Sequence, residues 1–230
     1  MRDSGDSGDL IFTKRLDGSL EFRGDFEALY QADPDPWGQS GHHPRMADYY
    51  AASRMRLVEA LSGIRWCSAL EVGCGAGYVV RLLARMFRNR RLAGIDISPT
   101  AVELALALCP GLKFSVGDFG DPGLVSDSDE KLDVVILGQV LWYILDRLPA
   151  VLENSLAVLA PHGHLIIQMA FLEKQGYGRE IVDGFNGLLR YMLRYERERQ
   201  ADLRVVLARY DASSRHTPYH DGLLVLEASR

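Results

Sequence analysis

The segment Ala69-Leu-Glu-Val-Gly-Cys-Gly-Ala-Gly77 joins a short apolar run carrying one carboxylate, Glu71, to three glycines at alternate positions, Gly73, Gly75 and Gly77. A helical pattern opens at Tyr78. Glycines between a strand and a helix let the backbone turn sharply and let a ligand approach it closely. A second apolar run, Leu92 to Ile95, ends in Asp96, a carboxylate placed to accept hydrogen bonds from a ribose diol. Together they predict an adenosine-type ligand lying across the carboxyl ends of two adjacent parallel strands. A dinucleotide fingerprint would need its third glycine at position 78, where this chain has Tyr78. A carboxylate facing the loop suits a cationic, phosphate-free ligand better than a pyrophosphate.

On these residues the chain resembles the class I S-adenosylmethionine-dependent methyltransferases. The resemblance implies that the loop Glu71 to Gly77, with Gly73 and Gly75, holds the methionine part of the cofactor. It implies that Asp96 takes the ribose hydroxyls, with Ile97 beside it, and that Asp118-Phe119 flanks the adenine. Methyl transfer from a sulfonium is an in-line displacement that asks mainly for alignment, exclusion of water and, for a protonated nucleophile, a base. In this family the segment after the fourth core strand lies beside the sulfonium. Here it reads Leu137-Gly138-Gln139-Val140-Leu141-Trp142-Tyr143.

That segment lacks the Asn/Asp-Pro-Pro-aromatic motif of amide- and nucleobase-methylating relatives, and it has Tyr143 where many O-methylating relatives have histidine. Gln139 offers hydrogen bonds but takes no proton at neutral pH, and an ordinary tyrosine titrates too high to be a ready base. An amine, whose neutral form is already populated, fits such a loop better than a hydroxyl. With Gly138 and Gln139 in place of clustered Asp/Asn ligands, no metal is expected. Tyr143 and His220 are the candidate catalytic groups, and a hydroxyl acceptor served by His220, His216 or Tyr143 is the alternative. His216, Tyr219, His220 and Asp221 sit at a final hairpin whose turn in this fold can reach the acceptor opening. Non-catalytic cofactor binding and nicotinamide chemistry are further alternatives, the latter opposed by Tyr78.

Ahead of the glycine loop, Asp33-Pro-Asp-Pro-Trp37-Gly38 and a helix bearing Tyr49, Tyr50 and Arg54 resemble the nodulation-type enzymes that N-methylate a terminal amino sugar. By that resemblance Trp37 and Arg54 close over the cofactor, Arg54 meeting its carboxylate in a charge-assisted pair. The implied acceptor is an amino sugar or aminoglycoside-like natural product. Gln139, Tyr143, Tyr177, Glu180 and Asp183 are the candidate substrate contacts.

The elements that must position these residues follow from periodicity. Strands at about 68–72, 91–96, 113–116, 132–137 and 164–170 alternate with helices at about 45–61, 78–88, 99–109 and 146–159. Two further strands, 203–210 and 222–228, close the chain. The pattern predicts an α/β fold: a doubly wound, mostly parallel seven-stranded sheet, Rossmann-like, with N-terminal helices and an antiparallel C-terminal hairpin. The expected organisation is a flexible acidic tail at 1–20, a helical cap at 21–64 and a methyltransferase domain at 65–230 with a lid insertion at 171–200.

The net charge of -5 is concentrated in residues 1–50, where acids exceed bases by five. No basic face remains for a phosphate backbone, so nucleic acid is an unsuitable partner, and a cationic small molecule is favoured. No apolar run reaches membrane-spanning length, the first ten residues are not signal-like, and the three cysteines lack metal spacing. A cytoplasmic compartment is the expectation; oligomeric state is left open.

Overall fold

The computed structural model describes residues 8–42, 44–124, 130–212 and 218–229. In chain order its elements are α1 (Gly8–Ile11), β1 (Phe12–Lys14), β2 (Leu20–Phe22), α2 (Phe26–Ala32), α3 (Pro44–Ser62), β3 (Ser68–Val72), α4 (Tyr78–Met86), β4 (Arg91–Asp96), α5 (Pro99–Leu108), β5 (Lys113–Val116), β6 (Leu132–Gly138), α6 (Leu148–Val158), β7 (Leu159–Leu172), α7 (Gly184–Arg199), β8 (Leu203–Asp211) and β9 (Tyr219–Ala228). Two short 3-10 turns, Leu141–Tyr143 and Leu145–Arg147, follow β6. The main sheet has seven strands in the order β5-β4-β3-β6-β7-β9-β8. Pairing is parallel from β5 through β7 and antiparallel at β9 and β8. This is the expected doubly wound sheet with its antiparallel ending.

The central strands explain the layering. β6 reads Leu-Asp-Val-Val-Ile-Leu-Gly, and Val134 to Leu137 are fully buried. Successive side chains of a strand leave by opposite faces. Val134 and Ile136 accordingly pack with Leu57, Leu61, Val80 and Leu83 of α3 and α4. Val135 and Leu137 pack with Leu148, Leu152, Leu188 and Met192 of α6 and α7. A continuous apolar run is therefore one strand feeding two cores, as a parallel strand covered on both sides requires.

The chain winds one way through β3, β4 and β5 and the other way through β6 and β7. Such a reversal opens a crevice outside the carboxyl ends of the strands on either side of it, here β3 and β6. Gly73 and Gly138 stand at those two ends.

Three expectations about organisation are corrected. Residues 8–20, expected as part of a flexible tail, form α1 and a hairpin strand; β1 pairs antiparallel with β2, and Ile11 is buried. The segment 171–200, expected as a lid, contributes α7 to the core, with Phe185, Leu188, Met192 and Tyr195 buried. The strand expected at about 164–170 begins at Leu159, directly after α6, and passes through Pro161. Pairing with β6 shifts register between Leu132 and Val134, which accommodates a residue that cannot donate to the ladder.

Candidate active site

A cavity of about 640 Å3 opens across the ends of β3, β4 and β6. At one end stand Val72, Gly73, Ile95, Asp96, Ile97, Gly117, Asp118 and Phe119. The glycine loop is tied to β4: the amides of Gly73 and Cys74 both donate to the Ile95 carbonyl, at 2.8 and 3.1 Å. Gly73 (φ +68°) and Gly75 (φ +51°) lie in the left-handed region. A Cβ at Gly73 would fall 2.6 Å from Val140 Cγ2, and one at Gly75 would fall 2.4 Å from the Tyr30 hydroxyl. Only glycine meets both conditions here.

The Gly75 amide donates to Asp96 Oδ2 at 2.7 Å, and the Ser98 amide to Oδ1 at 3.0 Å. Asp96 is buried; that burial raises its pKa, and the two amides oppose the rise. A carboxylate offers about four acceptor sites, so each oxygen keeps capacity for a donor in the cavity. Behind Gly73 and Gly138 lie Glu71 and Arg54, which do not border the cavity directly. Glu71 Oε2 and Arg54 Nε are buried without a hydrogen-bond partner among the described residues. Burial pushes the Glu71 carboxyl up to about 8, and the Arg54 guanidinium opposes that shift. Arg54 lies over the rings of Tyr50 and Tyr78 and donates to Gln39 Oε1 at 3.3 Å. An unsatisfied acceptor and an unsatisfied donor at one loop match a group carrying both an ammonium and a carboxylate.

Asp118 borders the cavity, but its carboxylate is engaged by Arg147 and by the Gly120 amide, the latter at 2.8 Å. Arg147 also reaches Asp121 at 2.8 Å. Phe119 and the half-exposed Ile97 supply flat apolar wall on either side of this position.

The rest of the lining is largely aromatic: Phe26, Trp37, Tyr49, Tyr50, Trp142, Tyr143 and Tyr219, with Met46 and Met169, while Tyr30 reaches the glycine loop at Gly75. Asp33 and Asp35 border it as well. Tyr143 packs against Phe26 and Trp37, with ring centroids at 5.2 and 5.5 Å. Burial raises its phenol further from neutrality, so it is a poorer base than an ordinary tyrosine. Gln139 takes the left-handed conformation (φ +61°), uncommon for a residue with a side chain. It is held there by its amide donating to the Gln168 carbonyl at 2.7 Å and by its Oε1 accepting from the Ala170 amide at 3.0 Å.

The N-terminal elements close over both ends. Glu27 of α2 accepts from Ser98 Oγ at 2.7 Å, from Thr100 Oγ1 at 2.6 Å and from the Thr100 amide at 3.1 Å. These bonds pin α2 to the start of α5, two residues beyond Asp96, and hold the Glu27 carboxyl down to about 2.

Of the residues singled out in the sequence, Trp37, Gly73, Asp96, Ile97, Asp118, Phe119, Gly138, Gln139 and Tyr143 line the cavity. Glu71, Gly75 and Arg54 stand immediately behind it. Tyr177, Glu180 and Asp183 are corrected. Tyr177 packs on Phe12 and Phe22, Glu180 is exposed, and Asp183 pairs with Arg179 at 3.1 Å. His220 is also corrected: its Nδ1 lies 2.6 Å from the Tyr210 hydroxyl and the residue does not border the cavity. His216 lies outside the described residues. Sequence reasoning gave no role to Met46 or Ser53 and none in the acceptor wall to Tyr49 or Tyr50. Positions 46, 49, 50 and 53 are one helical stripe, the spacing of a single helix face.

Residues 70–167 match a family model described as a methyltransferase domain. Trans-aconitate 2-methyltransferase of Methylobacterium radiotolerans is 31% identical over 101 residues, 44% of this chain and 37% of the relative. Nodulation protein S of Bradyrhizobium diazoefficiens is 29% identical over 116 residues, 45% of this chain and 49% of the relative. The chain thus spans half or less of the length of these curated relatives. Among solved structures, the N-methyltransferase NodS from Bradyrhizobium japonicum WM9, in complex with S-adenosyl-L-homocysteine, aligns with a TM-score of 0.67 at 19% identity, covering 89% of this chain and 98% of that one. The plantazolicin methyltransferase BamL aligns with a TM-score of 0.60 at 12% identity, covering 88% of this chain and 91% of that one. Residues 70–167 are thus similar to a methyltransferase domain, and the chain as a whole has the fold of NodS and BamL.

Proposed function

We propose that this chain is an S-adenosylmethionine-dependent methyltransferase that methylates an amine of a small acceptor, with amino sugars as the acceptor class. One observation carries the reading. A single cavity runs from the glycine loop and Asp96 to an aromatic wall in which no described residue is a histidine. Asp96 would accept the ribose hydroxyls, Ile97 and Phe119 would enclose the adenine, and Glu71 and Arg54, immediately behind the lining, would set the charge for the ammonium and carboxylate of the amino-acid end. The cofactor supplies an electrophilic methyl on a sulfonium; alignment, water exclusion and proton handling fall to the protein. Trp37, Tyr50 and Tyr143 form electron-rich faces suited to a cationic acceptor, and Asp33 and Asp35 add negative charge beside them.

The hydroxyl-acceptor alternative needs a base at that wall. Tyr143 is shifted away from that role and His220 is turned to Tyr210. NodS, an N-methyltransferase, supports the amine reading, and its likeness covers 89% of this chain. The test has two stages. Calorimetry should show binding of S-adenosylhomocysteine and none of NAD. Labelled S-adenosylmethionine should then transfer its methyl to amino sugars in a mass-shift screen. Binding without transfer to any amine, but with transfer to hydroxyl compounds, would replace the amine reading.

A further inference from the structure

Beneath the aromatic wall lies a buried polar network outside the cofactor-holding loop. Tyr49 of α3 borders the cavity, and its hydroxyl stands 3.2 Å from Oδ1 of Asp221 on β9. Asp221 is 3% exposed. Its Oδ2 accepts from Gln168 Nε2 at 3.1 Å and from Arg56 Nη1 at 3.4 Å. Arg56 also pairs with Asp211 of β8. Gln139 sets the direction of the chain. Because its Oε1 takes the Ala170 amide, its Nε2 is the end that donates, to the Tyr49 oxygen at 3.1 Å and to Ser53 Oγ at 3.2 Å. The Tyr49 hydroxyl has two acceptors within reach, Asp221 Oδ1 at 3.2 Å and Gln139 Oε1 at 3.3 Å; Gln139 Oε1 already takes the Ala170 amide, which leaves the buried carboxylate as the better one for the Tyr49 proton. A residue of the wall and a buried carboxylate behind it are thereby connected through one hydroxyl.

We propose that Tyr49 and Asp221 form a proton outlet for the acceptor amine, a role that rests on the amine reading above. An acceptor arriving as R–NH3+ gives one proton to the Tyr49 oxygen while the Tyr49 hydroxyl proton passes to Asp221 Oδ1. The products are R–NH2, an unchanged tyrosine and a neutral Asp221. The freed nitrogen lone pair then forms the N–C bond as the S–C bond breaks, and charge is conserved. When the product leaves, the proton returns through the same hydroxyl to solvent. Burial and the nearby Asp221 charge both disfavour a free phenolate at Tyr49, which suits a hydroxyl that passes a proton without holding the charge. The groups facing this pair are Arg56, Asp211, Gln168, Ser53, Gln139 and the rings of Tyr50 and Tyr219. Tyr49 touches the acceptor and is the catalytic residue; Asp221, acting through it, is a positioning residue.

The experiment compares the full chain with Tyr49→Phe and Asp221→Asn. Glucosamine, its β-1,4-linked dimer and kanamycin serve as acceptors, with methyl-labelled S-adenosylmethionine. Where the outlet works, the ammonium form is captured, so kcat/KM is level with pH below the amine's own pKa. In both variants only the neutral amine reacts, so kcat/KM should climb about tenfold per pH unit up to that pKa, and its deficit at any pH should equal the fraction of that amine that is neutral. S-adenosylhomocysteine affinity should stay within about threefold of wild type, as expected for sites without shared partners. Variants that keep the level profile overturn the outlet and leave the amine reading standing. Variants that lose cofactor affinity together with activity also overturn it, because the network is then only a fastening of α3 to the sheet. A wild-type chain that binds S-adenosylhomocysteine yet methylates none of the three amines overturns the amine reading and the outlet with it.

Discussion

The two ends of the cavity are built on different principles. The end proposed to hold the cofactor is made of short-range chain: Gly73 to Gly77, Asp96 to Ser98 and Gly117 to Phe119 each lie within a few residues of the end of a parallel strand. Much of its geometry is backbone, as in the Gly75 and Ser98 amides on Asp96. The acceptor end is made of side chains from segments far apart: Phe26, Trp37, Tyr49 and Tyr50 from the cap, Tyr143 after β6, Met169 on β7 and Tyr219 on β9. A backbone site tolerates change around it and fails abruptly at a glycine or at the one carboxylate it presents. A side-chain site shares its contacts among many groups, so single changes there should act by smaller steps, except where a proton must move.

The sharpest way to break the comparison is at Asp96. Asp96→Ala should weaken S-adenosylhomocysteine binding by roughly 2–3 kcal/mol, as for hydrogen bonds to a charged group, measured by calorimetry. Wild-type affinity in that variant would remove the basis for assigning this end to the cofactor.

Glu71 should show the next largest effect, with a stability readout of its own. Its folded carboxyl is raised to about 8 from an ordinary 4.5. The fold therefore holds the protonated form more tightly than the unfolded chain does. Stability should fall as pH rises from about 4.5 to about 8, by an amount on the order of a few kcal/mol. Glu71→Gln should flatten that fall in thermal melts of the ligand-free protein and raise Tm at pH 8. It should also cost about tenfold or more in cofactor affinity and abolish the proton release that accompanies binding in buffers of differing ionisation enthalpy.

A smaller effect is expected at the clasp between cap and domain. Glu27→Gln weakens the charge-assisted bonds to Ser98 and Thr100 and should speed cofactor release about threefold to tenfold in stopped-flow measurements. The wild-type carboxyl is held down to about 2, so its contribution is complete above about 4.5 and is lost as pH falls through 2. The acceptor wall itself should give the mildest responses. Tyr143→Phe and His220→Gln should each change kcat/KM by less than about threefold, far from the loss that follows removal of a general base. A thousandfold loss in either would restore a hydroxyl acceptor.

The glycine-loop end of the cavity was legible in the sequence because each of its parts is local. A strand, a tight turn and a helix announce themselves by apolar run, glycines and period, and Asp96 is simply the last residue of its strand. The alternation that sends Val134 and Val135 to opposite cores is likewise written in composition. Chain order alone could also place Gly138 and Gln139 beside the loop, since parallel neighbours end at the same level.

What only the tertiary structure decided is long-range. Gln139 and Ser53 are 86 residues apart, and Tyr49 and Asp221 are 172 apart. No local spacing predicts that such groups share a network, because their meeting depends on how α3 and β9 pack on one sheet end. The same reason misdirected the reading of 171–200, whose charges suggest a mobile surface while Phe185, Leu188, Met192 and Tyr195 anchor it in the core. Local pattern says which residues are capable of chemistry. Only the packing of α3, β7 and β9 around β6 determines which of them face one another, because burial pairs polar groups by position in space and not along the chain.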